Sequence, residues 1–193
     1  MSSPTPPIPD DALLLCLDLQ PKFLAAVARG AEVQRRCEFA IAAATGFGLP
    51  VAFTEQVPEK MGRTASELLA IAPGAAIFPK TAFSALADDA IRNALLEQRS
   101  VQHLLLCGIE TPICVYQTAV AALGLGLHVT ILSDAVGARR PDDARVCLDA
   151  LARAGAFVLP SETVFYAMLG DVGHPFFRAF TQRVKAAQDS LAP

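Results

Sequence analysis

Residues Val101–Gly124 read VQHLLLCGIETPICVYQTAVAALG, and this stretch decides the fold. The apolar run VQHLLLC (101–107) fits a strand buried on both faces. The polar turn GIETPIC follows, and apolar residues at helical spacing then continue to about Leu123. Working outward, the same alternation of short apolar runs and helix-period segments covers the chain. Upstream, Leu13–Leu17 (LLLCL), Pro50–Thr54 (PVAFT) and Ala75–Phe78 (AAIF) read as strands one to three. Helical stretches lie at 31–45, 65–71 and 87–99. Downstream come a fifth strand at 127–132, a helix at 141–154 opened by Pro141, a sixth strand at 156–159, a short helix from Ser161 to Met168 with Ser161 as its N-cap, and a last helix at 175–191. Six strands joined by helical crossovers predict an α/β fold. The expected form is a three-layer αβα sandwich around a doubly wound, Rossmann-like parallel sheet in the order 3-2-1-4-5-6. Ligands in such folds sit beyond the carboxyl ends of the strands at the switch point. The residues to inspect therefore follow Leu17 and Cys107.

A chain of 193 residues suits a single domain, expected over residues 11–193. The proline-rich opening MSSPTPPIPD (residues 1–10) reads as a loose tail without the order of a secretory signal. Apolar residues make up 53%, enough for a large core, and this content favours a homo-oligomer, a dimer or larger. A net charge of −3 without long runs of one sign argues against a nucleic-acid partner. The most apolar stretch, Val115–Val136, is broken by polar residues and glycines, which argues against a membrane span. The five cysteines are odd in number and widely spaced, with no CxxC pair, so reduced thiols in a cytoplasmic protein are expected. No metal site is expected, because the histidines are scattered, and no cofactor.

Cys114 stands apart from the other four, which read as small buried hydrophobes. With Thr111 as N-cap and Pro112 as first helical residue, Cys114 becomes the third residue of its helix. The helix dipole and unpaired N–H groups would then lower the thiol pKa and offer donors to an oxyanion. Asp18, after strand one, is placed across the crevice to manage protons. Lys80, after strand three, would serve as counter-charge. Each has a blander reading, Asp18 as a turn residue and Lys80 as a solvated surface residue. Gln20, Phe23, Thr54, Phe83 and Tyr116 lie near the strand ends as candidate pocket residues. Glu55, Glu59, Lys60 and Arg63 read as a solvated charged loop, Asp134 as a turn cap, and Arg139 and Arg140 as surface residues.

The runs CLDLQ (16–20), FPKTAFS (78–84) and GIETPICVYQTAVAALGLGLHVTILSDAV (108–136) resemble the isochorismatase-like cysteine hydrolases, a family that includes nicotinamidases and carbamoylsarcosine amidohydrolase-type enzymes. The resemblance spans about Leu13 to Met168. It implies an Asp-Lys-Cys triad of Asp18, Lys80 and Cys114, a cis peptide between Ile109 and Glu110, and an oxyanion hole from the N–H groups of Glu110 and Cys114. One departure stands out: where nicotinamidases carry an Asp-x-His-x-x-His metal segment, this chain reads TEQVPEKMGRT, without histidine. The chain is instead similar to the isochorismatase-domain branch. The resulting expectation is a metal-independent hydrolase that cleaves a small-molecule amide C–N bond through a thioester. The alternatives are a vinyl-ether hydrolase of the isochorismatase type, a non-catalytic binding or scaffold member, and a thiol redox protein.

Overall fold

The computed structural model describes residues 11–97 and 100–189. The proline-rich tail and the predicted last two residues of the final helix lie outside the described residues. The elements are β1 (Ala12–Leu17), α1 (Pro21–Leu24), α2 (Gly30–Phe47), β2 (Val51–Gln56), α3 (Pro58–Met61), α4 (Ser66–Ile71), β3 (Ala76–Lys80) and α5 (Asp89–Arg92). After them come β4 (His103–Ile109), α6 (Tyr116–Gly124), β5 (His128–Gly137), α7 (Pro141–Arg153), β6 (Phe157–Leu159), α8 (Ser161–Leu169) and α9 (Phe177–Asp189). Two π-helical stretches, Asn93–Glu97 and Thr111–Val115, run on from α5 and lead into α6. All strand pairs are parallel, in the order β3-β2-β1-β4-β5-β6.

Strand alternation builds the two cores. Leu14 and Cys16 of β1 pack with residues of α2, α4, α8 and α9, whereas Leu13, Leu15 and Leu17 pack with α5, α6 and α7. Every residue of β1 is buried, which is why its sequence is a continuous apolar run rather than an alternating one. Cys16, Cys37 and Cys107 are buried in the α2 layer, and Cys147 is half-buried.

Several sequence expectations shift. β2 and β4 each run two residues past their predicted ends, taking Glu55 and Gln56 out of the loop and into the sheet. Glu55 is buried rather than solvated, because its carboxylate accepts the Thr64 N–H at 2.8 Å. Glu59, Lys60 and Arg63 are exposed. Asp134 lies inside β5 and caps no turn following it: it accepts from the Ser161 N–H at 2.8 Å and hydroxyl at 2.7 Å, and it pairs with Arg36. Ser161 accordingly occupies the first position of α8, with Pro160 at the cap.

The register places the crevice. Leu17, the last residue of β1, stands opposite Thr54 and Gly108. Lys80 pairs with Gln56, two residues beyond that row, and Glu110 follows Ile109 on the other side. β1 thus ends short of both neighbours at this edge, and Asp18 sits at the bottom of the trough.

Candidate active site

Asp18 leaves β1 with φ 51°, a left-handed conformation that Asp tolerates better than most residues. The turn aims its carboxylate at the trough. Thr54 donates its hydroxyl to one oxygen at 2.7 Å, and Lys80 donates Nζ to the other at 2.7 Å. Asp18 is 2% exposed and Lys80 4%, so the ion pair is buried, meeting the cavity only through Asp18. A buried pair of this kind holds only when the remaining donors are satisfied. They are: Nζ also meets Gln56 Oε1 at 2.6 Å and the Ala82 and Phe83 carbonyls at 3.3 Å each. Although β3 lies two strands from β1, Lys80 reaches the crevice because it stands beyond the tip of β1 and folds back over it.

Cys114 Sγ lies 3.6 Å from Lys80 Nζ. Its turn is wound more loosely than predicted. Glu110 holds the N-cap position, the Thr111 hydroxyl donates to the Gly137 carbonyl at 3.0 Å instead of capping, and Cys114 is the fourth residue of the turn. The Val115 N–H reaches back to the Glu110 carbonyl at 3.2 Å, the π-helical bond that closes the turn. The Ile109–Glu110 peptide is cis, immediately before the turn that carries Cys114.

The predicted lowering of the thiol pKa is reversed. Burial, and then the Asp18 charge, push the Cys114 thiol up to about 12, while Lys80 and the Glu110 N–H pull it partway down. A single turn of helix offers about 0.3–1 kcal/mol of dipole stabilisation, less than the cost of burying a thiolate beside a carboxylate. At neutral pH the sulfur therefore keeps its proton, with the Asp18 carboxylate held nearby on the same Lys80 ammonium.

These groups open into a cavity of about 390 Å³. Its buried end holds Asp18, Gln56 and Cys114; Phe23, Val27, Met61, Phe83, Ile109 and Ile113 form apolar walls; Lys22, Glu110 and Arg139 stand at the opening. Of the predicted pocket residues, Phe23 and Phe83 line the cavity, with Phe83 53% exposed at its edge. Gln20, Thr54 and Tyr116 do not. Gln20 spends its amide on the Gln56 backbone, donating to the carbonyl at 3.1 Å and accepting the N–H at 2.8 Å. Thr54 serves Asp18 from beneath, and Tyr116 packs into the α6 layer.

Gln56 and Arg139 are among the lining residues that sequence reasoning missed, as are Lys22, Val27, Met61 and Ile113. Gln56 continued an apolar strand with polar residues and so read as loop. Arg139 read as surface, yet its Nε pairs with the Glu110 carboxylate at 3.0 Å. A larger open groove of about 750 Å³ runs between α2 and α7 but does not contain the thiol. Among the described residues, no group of three or more His, Cys, Asp or Glu side chains is arranged to hold a metal ion. No helix among them is long and apolar enough to cross a membrane.

A thiol, a carboxylate and an ammonium gathered beyond the carboxyl ends of a doubly wound sheet define an α/β protein with a cysteine-centred crevice. More particularly, the chain belongs to the isochorismatase family, since the Isochorismatase domain matches residues 12–163. Isochorismatase domain-containing protein 1 of Salmo salar is 32% identical over 180 residues, 93% of this chain and 63% of that protein, so the chain spans under two thirds of this relative. Isochorismatase domain-containing protein 2A of Mus musculus is 33% identical over 92% of this chain and 84% of its own length. Among solved structures, the MAR1 ribonuclease of Caenorhabditis elegans superposes with a TM-score of 0.87 at 30% identity, covering 94% of this chain and 93% of its own. YcaC of Escherichia coli, described as an octameric hydrolase of unknown specificity, shares the fold with a TM-score of 0.85 at 20% identity over the full length of both chains.

Proposed function

We propose that residues 11–193 form one hydrolase domain that cleaves an amide C–N bond of a small molecule through a thioester on Cys114. The observation that carries this reading is the convergence of the Asp18 carboxylate, at 2.7 Å, and the Cys114 sulfur, at 3.6 Å, on the buried Lys80 ammonium behind the closed end of a small apolar cavity. Asp18 takes the thiol proton as sulfur attacks the carbonyl carbon, so the thiolate forms only as the C–S bond does. The N–H groups of Glu110 and Cys114 receive the oxyanion. As the C–N bond breaks, Asp18 returns the proton to the departing nitrogen. Water then gives a proton to Asp18 while its oxygen attacks the thioester; the C–S bond breaks, the acid leaves and the proton returns to sulfur. Lys80 balances the charge on Asp18 and on sulfur throughout.

The likeness to a ribonuclease raises RNA as a substrate, but the cavity and net charge of −3 favour a small molecule, since RNA is held by basic and aromatic surfaces. Cys107, whose thiol donates to the Cys16 sulfur at 3.5 Å, and Cys16 are free cysteines, in keeping with the proposed reducing, cytoplasmic setting. Exposed Val120, Leu125 and Val146 on α6, at its end and on α7 offer apolar surface for the proposed homo-oligomer.

The test is a panel of small amides assayed for amine release, with acid-quenched intact mass read at Cys114. The expected result is turnover, an acyl adduct on Cys114, and a loss of at least about 10³-fold in Cys114→Ala. Turnover that survives Cys114→Ala would shift the chemistry to Asp18 as an acid, the vinyl-ether reading. A thiol that takes no acyl group from any amide would favour a binding or scaffold role.

A further inference from the structure

The geometry points to Arg139 as a positioning residue that, through the Glu110 carboxylate, sets the Glu110 amide for the oxyanion. This inference rests on the proposed thioester mechanism and assigns a part of it to a residue outside the triad.

Glu110 is the point at which several constraints meet. It follows the cis peptide and caps the turn that carries Cys114, and its carbonyl accepts the N–H groups of Ile113 at 3.0 Å and Val115 at 3.2 Å. Its carboxylate accepts the Arg139 backbone N–H at 3.1 Å and Arg139 Nε at 3.0 Å. Arg139 follows β5, whose last residue, Gly137, pairs with Ile109. The loop is anchored on both sides, since the Thr111 hydroxyl donates to the Gly137 carbonyl at 3.0 Å and the Ala28 N–H donates to the Ala138 carbonyl at 3.0 Å. Arg139 is therefore held on a fixed segment beside the turn it contacts. Its side chain is 61% exposed, against 17% for that of Glu110. An ion pair that open contributes little to stability, so its directional value exceeds its energetic one. Two donors on one carboxylate fix the Glu110 side chain, and with the carbonyl also held, the amide has little freedom to turn from the crevice.

The test uses two four-carbon aldehydes, butyraldehyde and succinic semialdehyde, labelled with ¹³C at the aldehyde carbon and followed by NMR. In a hemithioacetal the C–S bond forms, the carbonyl becomes a C–O single bond, and the thiol proton ends on that oxygen, so the adduct places oxygen where the oxyanion would sit. Alkylation of Cys114 by iodoacetamide, which builds no such oxygen, checks that the thiol and the fold are intact. The expected result is that Arg139→Ala and Glu110→Gln each weaken both aldehydes by roughly tenfold, while Cys114 in each is still alkylated to one equivalent and the thermal melt stays cooperative. The double variant is expected to be no weaker than either single one, because both act through one contact. Unchanged butyraldehyde affinity in the two variants would overturn the proposal. So would a loss confined to succinic semialdehyde, which would make Arg139 an anchor for a substrate carboxylate. If the folded wild type adds neither aldehyde at Cys114, the thiol-hydrolase reading itself fails, and this inference fails with it.

Discussion

Cys114 is a thiol whose proton is held between opposing charges. Asp18 raises its pKa and Lys80 lowers it, so replacing either should move the thiol in opposite directions. Both replacements are nevertheless expected to cut turnover, because one removes the proton acceptor and the other its counter-charge. Thr54 gives a subtler test. Thr54→Val removes the 2.7 Å hydrogen bond to Asp18 at nearly constant volume and should cost about 1–3 kcal/mol in urea unfolding, with a fall in turnover from a less well-aimed carboxylate. At this scale the sequence was partly legible. Asp18 and Cys114 could be found from their places after strands. The direction of the thiol shift could not, because helix position is visible in a sequence while burial beside a carboxylate is a product of folding.

The strands create the site through their staggered ends. β1 stops at Leu17 while its neighbours continue, and Gly108 lies opposite that last residue with φ 110°. A Cβ at Gly108 would stand 2.1 Å from the Leu17 carbonyl oxygen, a backbone atom that cannot step aside. Gly108→Ala is expected to destabilise the fold by about 2–4 kcal/mol, read as a lower urea midpoint, and to depress activity in the protein that still folds. Strand order followed from the right-handed crossover rule and the pattern of apolar runs. Strand ends did not, because Glu55 and Gln56 are polar residues carried into the sheet by partners distant in sequence, the Thr64 N–H and Lys80 Nζ. The same blindness hid Arg139, whose partner Glu110 is 29 residues away.

For the whole molecule, buried titratable groups set a pH window of stability. His103 is buried at the opposite end of the sheet, its Nε2 2.7 Å from the Thr130 hydroxyl, and burial holds its pKa down at about 4 against 6.5. The folded state then binds fewer protons than the unfolded one between those values, so stability falls as pH drops through that range, by on the order of 3 kcal/mol. His103→Gln should flatten this acid limb in thermal melts. At the alkaline end burial raises Cys16, Cys37 and Cys114, and the contact with Cys16 raises Cys107, so the folded state holds protons that the unfolded state releases. Stability should therefore decline as pH rises above about 9, more gently in Cys114→Ala.

The most direct test of the central claim, that Asp18, Lys80 and Cys114 form one proton-managing unit, is the pH dependence of Cys114 alkylation by iodoacetamide in wild type, Asp18→Asn and Lys80→Met, with the site mapped by mass spectrometry. The account predicts a wild-type rate that climbs with pH toward about 12, a curve displaced to lower pH in Asp18→Asn, and one displaced to higher pH in Lys80→Met. Three superimposable curves, rising as an ordinary exposed thiol does, would contradict it.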